Sequence, residues 1–404
     1  MKSATIHVLP RTWLASLAVL LTVWLSGCAT PQATSAGREL PFEQAVAAAT
    51  DGLASQTQTL PAFLAKVESK LAKRGVVVDP FLDSSTGQQT QATRLFEKRV
   101  TDRLNGHFEH FDLLAFQAAN LGKAQYLLTG TMTRSQADHA KNTYKLNLAL
   151  TELRSGKVVA QASAQAQGTG LDNNPLPYYR DSPVLVKDQV LEGYIRSTAT
   201  PPGQKADAFY LDRIAAATLI NEATNLYNSE RYQEALGQYR SALATPAGEQ
   251  LRVLNGIYLA NVKLGRTAEA ETAFGKVVAM GIAYNELGVK FLFNPGSTEF
   301  WSDQRISGAY GMWLRQIAKE STAAKVCMDI IGHTSRTGSE QSNDSLSLQR
   351  AAYVRQRLTG EASNLGPRTK ATGMGFRQNI VGSGSDNAVD ALDRRVEFKI
   401  VACP

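Results

Sequence analysis

The chain has 404 residues, 43% of them hydrophobic, and a formal net charge of +7. That length holds two or three domains behind a leader, with enough apolar content for ordinary globular cores. The charge is modest and belongs partly to the N-terminal segment. No Lys/Arg block with interleaved aromatics occurs, which argues against nucleic-acid binding and leaves anionic surfaces such as lipid headgroups or cell wall as the suited partners.

Lys2 and Arg11 give a short basic start, and residues 13–25 are almost entirely apolar. Such a run is too short for a permanent span, which takes roughly 20 apolar residues, and has the length of a secretory signal core. It ends in Leu25-Ser26-Gly27-Cys28: a bulky apolar residue, two small ones that let extended backbone enter a peptidase, then a thiol. This resembles a bacterial lipobox. The resemblance implies that residues 1–27 are a signal peptide and that Cys28 takes diacylglycerol and further acyl chains such as palmitate. Two or more acyl chains anchor a protein stably. Ala29, where an aspartate usually retains such proteins at the inner membrane, implies attachment to the outer membrane, facing the periplasm. The alternative is a plain signal peptide with a chance cysteine. Residues 28–39 read as a lipidated tether, since 30–38 are small and polar. No later apolar run is long enough to cross a membrane.

Residues 40–165 mix helical and strand patterns. Residues 40–73 read as helical, with Pro61 opening a second segment whose Phe63, Leu64, Val67 and Leu71 share one face. Residues 75–81 read as a buried strand entering a turn. Residues 91–104 carry a stripe of Leu95, Phe96, Val100 and Leu104. Residues 126–130 read as a strand, and Tyr144, Leu146, Leu148 and Leu150 alternate as in a half-buried strand. Arg154-Ser155-Gly156 is a turn leading to a partner strand at 157–160. Three pieces, Val76-Val77-Val78-Asp79-Pro80, Ala124-Gln125-Tyr126-Leu127-Leu128-Thr129-Gly130-Thr131 and Leu150-Thr151-Glu152-Leu153-Arg154-Ser155-Gly156-Lys157-Val158-Val159, resemble the periplasmic α/β domain of CsgG-like, FlgO-like and LpoB-like envelope lipoproteins. That resemblance implies a domain that docks partners or assembles rings.

Residues 166–205 are rich in Pro, Gly, Ser and Asn and read as a long connection that wraps on its neighbours. From 206 to 283 the pattern is helical. Asn228-Ser229-Glu230-Arg231-Tyr232-Gln233-Glu234-Ala235, followed by Tyr239 and Ala242, matches Lys263-Leu264-Gly265-Arg266-Thr267-Ala268-Glu269-Ala270, followed by Phe274 and Val277. The offset is 270 − 235 = 35 residues, close to the tetratricopeptide period of about 34. The region resembles tetratricopeptide helical hairpins, which implies a groove for a periplasmic protein partner. Two repeats are fewer than the roughly three needed alone, so the block is expected to pack on a neighbouring domain. The alternative is a helical spacer with no ligand.

Residues 284–404 hold the most specific motifs. A first strand is expected at 289–294, a helix near 308–319 and a second strand at 324–332. There follow Gly332-His333-Thr334-Ser335-Arg336-Thr337-Gly338, then Asn343, Leu346-Ser347, Arg350-Ala351, Gly373-Met374-Gly375 and Asp393-Arg394-Arg395-Val396-Glu397-Phe398. These spaced elements resemble an OmpA-like peptidoglycan-binding α/β sandwich. The resemblance implies that Gly332, His333, Thr334, Ser335, Asn343, Arg350 and Arg395 surround a peptidoglycan stem peptide, with an arginine fork on a carboxylate. Asn343 would orient the loop or cap the helix, and His333 would be a structural hydrogen-bonder rather than a base. The family usually has aspartate where Ser335 stands, an acid that helps hold the ammonium of diaminopimelate. Asp344 is the nearby candidate to compensate. On this reading Arg350→Ala weakens wall binding with the fold intact, and Ser335→Asp strengthens it.

Cys327 and Cys403 each end an apolar run; in an oxidising periplasm they either pair or remain separate buried thiols. His107 and His110 lie three apart without a carboxylate or cysteine cluster beside them, so no metal site is expected. There is no Gly-x-Ser-x-Gly elbow, no His-Glu-x-x-His and no phosphate loop, so neither enzymatic activity nor a cofactor is expected. The multidomain α/β chain therefore reads as a lipid-anchored tether between outer membrane and peptidoglycan that scaffolds periplasmic partners. The alternative is an assembly or regulatory factor of a flagellar, secretion or wall-synthesis complex, with weak or no wall binding.

Overall fold

Strands β1 (Glu39–Leu40), β2 (Arg74–Val78), β3 (Leu82–Asp83), β4 (Phe111–Ala115), β5 (Tyr126–Arg134), β6 (Thr143–Glu152) and β7 (Lys157–Gln167) form one seven-stranded sheet, in the order β1-β7-β6-β5-β2-β4 with β3 beside β5. They belong to a computed structural model that describes residues 38–57, 73–135, 142–285, 287–381, 384, 386 and 389–403. The signal peptide, Cys28, most of the tether and the segment opened by Pro61 lie outside the described residues. The sheet is mixed: β2 pairs in parallel with β4 and β5, while β5, β6 and β7 are antiparallel neighbours.

The continuous Val76-Val77-Val78 run is explained by burial on both faces. Val76, Val78 and Leu128 pack under helices Phe42–Thr57 and Gln91–His107. Val77 and Leu127 point to the opposite layer, as the period of two requires. Helix Gln91–His107 starts at a capping box in which Thr90 and Thr93 satisfy each other's backbone N–H. The expected stripe is seen at Phe96, Val100 and Leu104, all buried, with Leu95 half-buried. Strand β4 went unread in the sequence, because Phe111-Asp112-Leu113-Leu114-Ala115 neither alternates nor runs fully apolar.

The second layer comes from residues that read as a connection. Helix Gln189–Ala199, capped by Asp188, lays Val190, Leu191 and Tyr194 on the sheet, joined by Tyr210, Ile214 and Ala217 from the start of the helical region. The Tyr210 hydroxyl donates to the Asp79 carboxylate at 2.5 Å. Asp79 is buried, which pushes its pKa up to about 7 against the opposing pull of that hydrogen bond.

Helices Ile214–Asn228 and Tyr232–Leu243 form one hairpin, and Leu251–Lys263 and Thr267–Ala283 a second. Ala235, Tyr239 and Ala242 in one pair, and Ala270, Phe274 and Val277 in the other, are all buried. Their turns reach positive φ at equivalent places, Glu230 at 62° and Gly265 at 70°. Tyr178 from the connection inserts between the hairpins, ringed by Tyr179, Tyr227 and Tyr239.

Helix Thr267–Ala283 packs on helix Tyr310–Ala323 through Phe274 and Trp313, whose rings stack at 5.6 Å while Trp313 Nε1 donates to the Tyr258 hydroxyl at 2.8 Å. One apolar core therefore runs from the hairpins into the C-terminal module. That module has a three-stranded sheet, β10 (Val396–Val401), β8 (Cys327–Gly332) and β9 (Thr369–Gly373) in that order, with β8 antiparallel to β10 and parallel to β9. The first strand expected at 289–294 does not join it. That segment makes single bridges, Val289 with Val184 and Phe293 with Phe300, and its backbone bonds are divided: Lys290 N donates to Pro183 O of the connection, Phe293 N to Arg394 O, and Leu292 O accepts from Trp301 N. Among the described residues no helix is long and apolar enough to cross a membrane.

Cys327 and Cys403 are bonded to each other and close a sequence separation of 76 residues across the β8–β10 edge. Reducing the bridge, or Cys403→Ser, is expected to lower stability by about 2–4 kcal/mol, since a long cross-linked loop restricts the unfolded chain. Urea unfolding with and without reductant measures this; an unchanged midpoint would show that the bridge contributes nothing.

Candidate functional site

The site grows from the place where helix Glu340–Glu361 meets the ends of β8 and β9. A Cβ on Gly332 would lie 1.9 Å from the Ser347 carbonyl oxygen, and one on Gly373 would lie 2.6 Å from Ser347 Oγ. Only glycine permits that approach, so packing by itself requires glycine at 332. Ser347 Oγ also accepts from Gly375 N at 3.0 Å. The helix thus presses its Ser347 turn onto the sheet end and sets the position of the loop leaving β8.

Asn343 and Arg350 hold that loop by hydrogen bonds, and His333 is packed within it. Asn343 Nδ2 donates to the carbonyls of Thr337 at 2.7 Å and Ser339 at 3.0 Å. It orients the loop, while the helix cap is Ser339, whose side chain accepts from Ser342 N. His333 is buried beside Glu397, with Nε2 3.4 Å from its carboxylate. Burial lowers the His333 pKa, against the pull of Glu397, and keeps the ring neutral at neutral pH. Arg350 is fully buried. Its Nε donates to Ser297 O at 2.9 Å, Nη1 to His333 O at 3.2 Å and Nη2 to Asn294 O at 2.9 Å. Burial, with Arg394 nearby, pulls its pKa down to about 10, so it stays charged at neutral pH. Three of its five N–H groups are committed to backbone, which among the described residues leaves one on each Nη.

Arg350 therefore has a role in the fold that the sequence motif did not reveal. Arg395 is also committed elsewhere: Nε to Glu397 at 2.6 Å, and Nη1 and Nη2 to the carbonyls of Leu392 and Gln378. The arginine that reaches the loop is its neighbour Arg394, because successive residues entering a strand face opposite sides. Arg394 Nη1 donates to Asp386 Oδ1 at 2.6 Å, and Ser335 Oγ donates to the same oxygen at 2.5 Å. Asp386 is thus the carboxylate at the Ser335 position. Asp344 is not: it pairs with Arg377 at 2.7 Å. Next to Ser335, Thr334 Oγ1 is buried with no hydrogen-bond partner among the described residues, although Thr334 N donates to Gly375 O.

The arrangement gathers a carboxylate, an unpaired hydroxyl, a paired hydroxyl and two guanidinium groups in one place. It suits a ligand group carrying both an ammonium and a carboxylate, the ammonium toward Asp386 and the carboxylate toward arginine N–H. Sequence reasoning missed Asp386 and Arg394. The double arginine was visible, but not which of the pair turns inward, and Asp386 lies in a Gly/Ser-rich stretch with no motif around it. Among the described residues no three His, Cys, Asp or Glu side chains gather as a metal site would require. His110 packs on Phe108 and Phe111.

Removing Arg350 would strip one buried and two half-buried carbonyls of their donor, so Arg350→Ala is expected to cost about 3–5 kcal/mol, contrary to the sequence expectation of an intact fold. Urea unfolding decides; a loss under about 1 kcal/mol would mean those carbonyls find other partners.

Residues 292–391 match the model of the OmpA family. No curated protein matches the chain at a significant level. Among solved structures, the chain is similar to the peptidoglycan-associated lipoprotein from Burkholderia pseudomallei, at 26% identity over 28% of this chain and 89% of that one, with a TM-score of 0.23. It is similar to the C-terminal domain of Helicobacter pylori MotB at 20% identity, covering 28% and 84%, with a TM-score of 0.23. It is similar to the C-terminal domain of LpoB from Salmonella enterica at 15% identity, covering 30% and 98%, with a TM-score of 0.20. The family match identifies the C-terminal module as OmpA-like.

Proposed function

We propose that this chain is a non-enzymatic, lipid-anchored envelope protein whose OmpA-like module binds the peptidoglycan stem peptide. The observation that carries the reading is the Asp386 carboxylate held between Ser335 and Arg394 in that module, beside the unpaired Thr334 hydroxyl. Diaminopimelate offers a free end with one ammonium and one carboxylate, which matches the charges gathered there. Asp386 supplies the acid that the Gly332-His333-Thr334-Ser335 motif lacks. Arg350 and Arg394 supply positive charge for the carboxylate.

The rest of the chain fits a tether. The lipobox-like Leu25-Ser26-Gly27-Cys28 holds one end in the outer membrane through acyl chains on Cys28, on the periplasmic side. The layered N-terminal module, read as CsgG/FlgO-like, and the two hairpins, read as tetratricopeptide-like, supply surface for periplasmic protein partners. The reading assigns no catalytic group and no cofactor.

Full-length protein is expected to fractionate with membranes, and Cys28→Ser to release it. Lipid-free protein is expected to pellet with isolated sacculi and to be displaced by free diaminopimelate. Asp386→Ala should weaken that binding roughly tenfold or more, the worth of one charge-assisted hydrogen bond. Ser335→Asp should also weaken it, because two carboxylates would then share one place, whereas Ser335→Asp combined with Asp386→Ser should recover it. Failure of the wild type to pellet with sacculi contradicts wall binding, and an unchanged Asp386→Ala contradicts the assigned acid.

A further inference from the structure

A cavity of about 1120 Å³ opens where the seven-stranded module, the helical hairpins and the OmpA-like module meet. It is larger than the roughly 300–1,000 Å³ of ordinary small-molecule sites. Lys290 lines it and is 5% exposed. The segment carrying Lys290 is extended and held by Lys290 N on Pro183 O. Its alternation is plain: Val289, Phe291 and Phe293 enter the apolar core, while Lys290 and Leu292 face the cavity.

Burying an ammonium group is costly unless it is paired. Yet among the described residues Lys290 makes no side-chain hydrogen bond or ion pair. The charge that acts on it is Asp181, and that carboxylate is already engaged by Lys263 at 2.8 Å, the Tyr227 hydroxyl at 2.9 Å and Arg180 at 3.0 Å. This corner of the cavity sets three cations against one carboxylate. Burial lowers the Lys290 pKa to about 8, opposed by Asp181, as an ammonium without a counter-ion of its own requires.

We propose that the cavity is a second binding site, distinct from the Asp386 site, for the free carboxyl end of a peptide, with Lys290 pairing the terminal carboxylate. The rest of the wall argues for a peptide rather than an acyl chain. Gln88, Asn173 and Asn174 line it beside Trp301, Tyr310 and Trp313. Gln88 Nε2 is buried with no partner among the described residues. An acyl chain would leave the Gln88 amide unpaired, whereas a peptide backbone offers it an acceptor while the peptide's side chains lie on the aromatic rings.

Both tryptophans that follow Cys28 in the sequence, Trp301 and Trp313, line this cavity, so intrinsic fluorescence reads its occupation. Lipid-free full-length protein is titrated with acetyl-Ala-Ala-Leu as the free acid, with the same peptide as its C-terminal amide, and with laurate. The free acid is expected to bind roughly tenfold or more tighter than the amide, the loss of one charge-assisted contact. Lys290→Met should erase that difference, with circular dichroism confirming the fold. If this variant does not fold, the acid-against-amide comparison on the wild type still decides. Equal binding of acid and amide, no binding of either in the millimolar range, or binding of laurate alone would each overturn the proposal. Diaminopimelate should not displace the bound free acid, and Asp386→Ala should leave the acid-against-amide difference unchanged, which separates this site from the wall site.

Discussion

A buried guanidinium at Arg350 is the constraint on which the C-terminal module depends. A charge taken out of water must be met by hydrogen bonds or it is lost at a cost of several kcal/mol. Arg350 is met by three carbonyls from two segments, those of Asn294 and Ser297 and that of His333. It thereby ties the segment entering the module, the loop after β8 and helix Glu340–Glu361 into one arrangement. Arg394 reinforces the same point, since its Nε donates to Phe293 O. Two buried cations close to each other then need negative charge nearby, and Asp386 provides it, accepting from Arg394 and acting electrostatically on Arg350.

The glycines at Gly332 and Gly373 follow from the same geometry. The helix that brings Arg350 to the loop must approach the sheet end closely enough for Ser347 to touch both strand termini. The paired positions Gly332 and Gly373 lie side by side on β8 and β9, so any side chain there would lever the helix away and draw Arg350 from its carbonyls. What reads in the sequence as a binding motif is therefore largely scaffolding. Among the described residues, the groups that face a ligand are the Thr334 hydroxyl and the Asp386 carboxylate, with the buried arginines supplying positive charge behind them.

Much of the architecture was legible because it is local. The stripe through Phe96, Val100 and Leu104, the alternation in β6 and the 35-residue offset between Ala235 and Ala270 are periodicities, and periodicity follows from burial on one face. What stayed hidden was tertiary. Residues 166–205 read as a connection because Pro, Gly and Asn punctuate them, yet helix Gln189–Ala199 supplies half of the sheet's second layer. The segment at 289–294 reads as a strand because it alternates, but its backbone bonds go to Pro183, Arg394 and Trp301, not to β8. At the site, the motif named Arg350 and Arg395 by type. Only the fold shows that Arg350 is buried in carbonyls, that Arg395 turns to Glu397, and that an aspartate 51 residues beyond Ser335 reaches its hydroxyl.

The central claim is that the loop after β8 meets the cell wall in the living envelope. Arg336 is exposed and adjoins Ser335, so a photo-crosslinking residue placed there in the full-length protein reports what the loop touches in intact cells. The account predicts adducts that muramidase digestion shortens and whose mass includes a muropeptide. Adducts to protein alone, with no muropeptide mass, would contradict it.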